Sequence, residues 1–198
     1  MRSWEIRFLE KIDDLCQSED WIYAKFICLE VLYLNPNCID ARKSLLKIRQ
    51  YTKPTKKSKI YFQLLIHTVL AVFCAIRIKK RHRELLAELE SLLDACPTCQ
   101  WALRLLSEVA FGFGFAETAI FCIQCIPEKD RNIEDWLLVG ESYLDSDDFD
   151  MAVEIANRVL QTSPDNARAR DLLWQSSVEQ SIDVDSKRIR HQRQGFSK

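Results

Sequence analysis

Residues 133–166, IEDWLLVGESYLDSDDFDMAVEIANRVLQTSPDN, constrain the fold more tightly than any other part of the chain. Trp136, Gly140 and Tyr143 are spaced four and three apart, so they share one face of a helix. Short acidic side chains follow at 145–148, where they hydrogen-bond the backbone and cap the next helix. That second helix carries Phe149, Ala152, Ile155, Ala156, Val159 and Leu160, again at helical spacing. Pro164 ends it, because proline cannot continue a helix. Ala152 is small where two helices must approach closely. The rest of the chain agrees: 4 Gly and 5 Pro among 198 residues leave long unpunctuated segments, which points to helices throughout.

This stretch closely resembles the tetratricopeptide repeat (TPR), whose pattern is Trp-x2-Leu-Gly-x2-Tyr, then Ala-x3-Phe, then Pro, over about 34 residues. Trp136, Gly140, Tyr143, Ala152 and Pro164 match it; Val139 stands for the Leu and Ala156 for the aromatic. The period recurs. Pro97 and Pro164 are 67 residues apart, one step of 33 and one of 34, and Ala119 lies 33 before Ala152. Ala24 and Pro36 repeat the interval of 12 that separates Ala152 from Pro164, as do Leu85 and Pro97. Helix pairs are predicted at 5–34, 63–96, 100–127 and 133–162, with single helices at 39–50 and 166–181. The last, apolar at Leu172, Leu173 and Val178, reads as the capping helix that ends a stack. The resemblance implies an all-α fold, an antiparallel helix-pair solenoid wound as a right-handed superhelix. The domain reading is 1–50 as an N-terminal repeat unit plus helix, 51–59 as a basic linker, 60–181 as the array with its cap, and 182–198 as a basic disordered tail.

Composition limits the function classes. Net charge is −1, so no global field draws the chain to nucleic acid, and no nucleic-acid partner is expected. The N-terminus, MRSWEIRFLEKIDD, lacks the apolar core of a signal peptide, so a cytoplasmic, reducing setting with free thiols is expected. One segment stands apart: IYFQLLIHTVLAVFCAIRI at 60–78, flanked by basic clusters and near the lower length for a membrane span. Gln63, His67 and Thr68 interrupt it and both flanks are basic, which favours a buried helix over a membrane anchor.

Two Cys-x-x-Cys pairs, Cys96 with Cys99 and Cys122 with Cys125, raise metal and redox chemistry. Their gap of 22 exceeds that of the usual four-cysteine zinc pattern, and the second pair lies within a helix. Redox use requires a thiolate favoured by a helix N-terminus, which Cys99 could supply, but no strand-helix alternation accompanies it. The leading reading is structural cysteines, with Pro97 as a repeat boundary. No cofactor is expected. No phosphate-cradling glycine loop, His-x-x-x-His pair or nucleophile-base arrangement is present, so the chain is read as non-enzymatic.

The resemblance implies a concave groove lined by the first helix of each pair. Its candidates are Trp101, Arg104, Glu108 and Phe111, then Glu134, Leu137, Glu141 and Leu144, then Arg168 and Asp171 on the cap. That mixture suits an extended peptide or a partner helix. The function expected is a protein-interaction scaffold or adaptor; the alternatives are a membrane-tethered TPR protein held by 60–78 and a zinc protein using the two Cys pairs.

Overall fold

The computed structural model describes residues 3–52 and 82–195, with side chains described for all of these except 82–84, 95 and 184–195. The described residues form nine α-helices and one 3-10 turn, and no strand occurs among them. The all-α class and the packing of adjacent helices expected from the sequence are what the structure shows. Two compact units divide the chain, Met1–Pro127 and Glu128–Lys198.

The first unit contains α1 (Ser3–Gln17), α2 (Trp21–Leu34), α3 (Ile39–Tyr51), α4 (His82–Ala95), α5 (Gln100–Gly112) and α6 (Ala116–Gln124). Two kinds of turn occur in the described connections between them. Within the pair α1–α2, Glu19 takes a left-handed φ of 59° and Asp20 then caps α2, its side chain accepting from the Tyr23 N–H at 3.2 Å. Within α5–α6 the left-handed residue is Gly114, φ 77°. The other kind is an X-Pro-X-X turn. Cys38 N–H donates to the Asn35 carbonyl (3.2 Å), and Cys99 N–H donates to the Cys96 carbonyl (3.1 Å). Proline suits the second position of such a turn because its φ is already fixed there.

Ile12, Leu15, Ile27, Val31, Leu45 and Ile48 form the apolar core of α1–α3. The predicted single helix at 39–50 is therefore packed on α2, and it is also tied to α4 by a buried ionic network. Arg42 donates to Glu90, to the Pro36 carbonyl (3.1 and 3.2 Å) and to Thr118 Oγ1 (3.2 Å). Arg49 donates to Glu90 Oε2 (2.9 Å), the Glu90 carbonyl (2.9 Å) and Asp94 Oδ1 (2.7 Å). Lys25 closes on Asp94 Oδ2 at 2.7 Å. Thr118 on α6 donates to the Pro36 carbonyl at 2.7 Å. Charges this deeply buried are stable only when each is paired and hydrogen-bonded, and here each one is. The predicted helix pair 63–96 is described only in its second half, as α4. Segment 60–78 and most of the 51–59 linker lie outside the described residues.

The second unit contains the 3-10 turn Glu128–Asp130, α7 (Ile133–Asp145), α8 (Phe149–Thr162) and α9 (Ala167–Gly195). A capping box opens α7: Asn132 Oδ1 accepts from the Asp135 N–H (2.8 Å), and Asp135 Oδ2 accepts from the Asn132 N–H (2.9 Å). Asp147, φ 61°, makes the α7–α8 turn, and Asp148 caps α8 by accepting from Met151 N–H at 3.4 Å. Leu137, Val159 and Ala169 form one core cluster, and Ala152, Ala156 and Leu172 another. Gly140 sits where the helices come closest. A Cβ there would lie 2.5 Å from Leu172 Cδ2 and 3.0 Å from Ile155 Cγ2.

Helix α9 departs from expectation in two ways. It continues to Gly195, through residues assigned to a disordered tail. The sequence 182–194 contains no Gly or Pro and is rich in Lys, Arg and Gln, which favour helix. Val178, expected on the inner face, is exposed beside Trp174 and Ile182, at i, i+4 and i+8 on the outer face.

Candidate functional site

Three predicted groove residues meet in the second unit. Arg168 of α9 donates to Glu134 of α7 and forks onto Glu141, with Nε at 3.2 Å and Nη2 at 2.8 Å from Oε1 and Nη2 at 3.0 Å from Oε2. Partial burial by itself would lower the Arg168 pKa. The bonds and charges of Glu141 and Glu134 outweigh it and raise the value, so the guanidinium stays charged. Asp171, one helical turn on, is exposed. Leu137 and Leu144 correct the prediction. Leu137 is 0% exposed and belongs to the core, and Leu144 is half-buried against Ala152, Ala156 and Leu172. Their apolar character serves packing between helices, and a helix position that faces a neighbour cannot face a groove.

In the first unit, Trp101, Arg104, Glu108 and Phe111 follow one another at i, i+3, i+7 and i+10 along α5, hence on one face. Trp101 is 43% exposed, Glu108 is exposed, and Arg104 and Phe111 are half-buried.

Sequence reasoning missed three surfaces. The first is a recess of about 400 Å³ between α1 and α3, with Ile6 and Leu9 as its apolar part, Glu10 and Asp13 on one wall, and Lys43 and Lys47 on the other. The i, i+3 and i, i+4 charge pairs on the two helices are the signal that could have disclosed it. The second is the outer face of α2, which exposes Ile22 (83%), Tyr23, Phe26 and Tyr33. The segment WIYAKFICLEVLYL is apolar on every side, so one face must remain uncovered unless the helix is surrounded. The third is a hollow of about 510 Å³ beside Trp136. The Arg158 guanidinium lies 3.9 Å from the indole centroid and that of Arg131 5.0 Å, while Arg158 also pairs with Glu128. The tryptophan that marks the repeat is thus covered by cations.

The cysteines among the described residues are all free thiols. Burial pushes Cys28 and Cys122 up to about 12 and raises Cys16 and Cys38. Among the described residues no group of three or more His, Cys, Asp or Glu side chains is arranged to hold a metal ion, so Cys96, Cys99, Cys122 and Cys125 form no such cluster. No helix among the described residues is long and apolar enough to cross a membrane. Of the acids at 145–150, Asp147 makes the turn and Asp148 the cap of α8.

No family model matches the sequence, and no curated protein does. Among solved structures the chain is similar to MamA protein, with 14% sequence identity and a TM-score of 0.47, over 92% of this chain and 86% of that one. It is also similar to YrrB, a TPR protein with an unusual peptide-binding site, with 12% identity and a TM-score of 0.46, over 83% of this chain and 89% of that one.

Proposed function

We propose that the chain is a non-catalytic interaction scaffold, an adaptor that holds a peptide or a partner helix on the open faces of its first helices. In the first unit that face is α5, with Trp101 and Glu108 outermost. In the second it is the α7 and α9 surface of Glu134, Glu141, Arg168 and Asp171. The observation that carries the reading is the Glu134–Arg168–Glu141 cluster: three charged side chains pair with one another at the surface and contribute nothing to the core. Exposed ion pairs contribute little to stability. They do present a fixed charge pattern, and complementary charge sets specificity and association rate.

Site-specific photo-crosslinking in the native cells tests this. A photoreactive residue is placed at Trp101, at Asp171, or at the control position Asp150 on α8. The reading expects a discrete adduct at each of the first two positions, absent from the control, with the Asp171 adduct lost on Arg168→Glu. Equal adducts from all three positions, or an Asp171 adduct that Arg168→Glu leaves unchanged, would overturn it.

A further inference from the structure

The Cys96-Pro97-Thr98-Cys99 turn has a chemistry that its role as a repeat boundary does not use. The corresponding turns of this chain are Asn35-Pro36-Asn37-Cys38 and Ser163-Pro164-Asp165-Asn166, closed by the same hydrogen bond between the fourth N–H and the first carbonyl. In those turns the first and fourth residues cannot combine. In this one both are cysteine. A four-residue turn closed in this way holds its first and last Cα atoms within about 7 Å, inside the range a disulfide spans, about 4.4–6.8 Å. The Cys99 N–H to Cys96 O distance is 3.1 Å. Both are half-exposed. Cys99 is the N-cap of α5, a 13-residue helix, and no side chain caps that end by hydrogen bonding. Among the described residues Cys28, Cys38 and Cys122 are buried, which shields them from solution oxidants.

We propose that Cys96 and Cys99 are a vicinal dithiol that closes reversibly to a disulfide by exchange with a low-molecular-weight disulfide such as oxidised glutathione. Cys99, deprotonated, attacks one sulfur of glutathione disulfide; the S–S bond breaks and the first glutathione leaves as thiolate, taking a proton. Cys96 gives its proton to solvent and attacks Cys99 Sγ, and the second glutathione leaves. The protein loses two thiol hydrogens and two electrons, and glutathione disulfide becomes two glutathione molecules. The N-terminus of α5 is thereby tied covalently to the end of α4, two residues before Trp101. This chemistry stands whether or not Trp101 binds a partner.

The test uses the full-length protein, equilibrated in glutathione buffers of stepped redox ratio, trapped with an alkylating reagent and digested with trypsin. One peptide, residues 84–104, contains Cys96 and Cys99 and no other cysteine. The wild type is expected to yield that peptide two hydrogens lighter, with the closed form exceeding any glutathione adduct about tenfold or more, since the second thiol is held at an effective concentration of mM or above. Cys96→Ser and Cys99→Ser should instead accumulate a glutathione adduct at the remaining thiol. A wild-type peptide that keeps its glutathione, or one that stays reduced while Cys16 or Cys125 is modified, would overturn the proposal. Circular dichroism of both variants establishes that they remain folded.

Discussion

Replacing Glu90 by Gln tests the physics that joins α3 to α4. Glu90 is 3% exposed and receives both Arg42 and Arg49. The amide has almost the same volume, so packing survives while the charge is lost. Arg49 keeps Asp94, but Arg42 loses the carboxylate that balances its charge and keeps only neutral acceptors, the Pro36 carbonyl, Thr118 and the one oxygen of the new amide. Breaking a buried pair in this way costs about 3–5 kcal/mol. With an m-value of about 2 kcal/mol per M urea, the unfolding midpoint of the first unit falls by about 2 M. Urea titration followed by tryptophan fluorescence, with hydrogen exchange over α3 and α4, reads the change. The triple variant Arg42→Met/Arg49→Met/Glu90→Leu removes the charges together and leaves Asp94 with Lys25, so it should recover most of the loss. The pH dependence has a definite sign. Burial alone would raise the Glu90 pKa, but the Arg42 and Arg49 charges and their hydrogen bonds outweigh it and hold the value below the ordinary one. A depressed folded value contributes stability above the unfolded pKa of about 4.3, and that stability is lost as pH falls through the folded value. The gap between wild type and Glu90→Gln therefore narrows only under acid conditions, below about pH 4. A difference under about 1 kcal/mol at neutral pH would refute the claim that the charge matters, as would a triple variant less stable than the single one.

Gly140→Ala should destabilise the second unit by about 1–3 kcal/mol, because the added carbon meets Leu172 Cδ2 at 2.5 Å; thermal melting reads it, and an unchanged Tm would mean that Leu172 turns aside freely. Asp147→Val should cost about 1–2 kcal/mol, since a β-branched side chain fits the left-handed φ of 61° poorly, and the urea midpoint checks it. Arg168→Ala should cost less than about 1 kcal/mol, so that any loss of partner capture reflects the surface and not unfolding; equilibrium denaturation of the purified variant is the control.

The local elements were legible in the chain because short-range chemistry makes them. Pro36, Pro97 and Pro164 each sit in the second position of the same turn, and Asp148 caps its helix as the acidic turn at 145–148 implied. Gly140 and Ala152 are small for the reason the repeat pattern suggests, a close approach of helices. The site was less legible. Glu134 and Glu141 were named from one helix and Arg168 from another, and the structure brings them together. Leu137 was named with them and is core, because a helical face tells which residues share a side and not which neighbour covers that side.

By itself, then, the sequence determined the helices, their turns and their caps, all governed by interactions a few residues long. Only the tertiary structure decided which polar residues go inside. Nothing local in Arg42, Arg49 and Glu90 distinguishes them from the charges of a solvated face, and they are buried because α3 and α4 meet across a gap of 41 to 48 residues. Pairing over that distance depends on how the helices stack, and a charge pays for burial only when its partner is already in place.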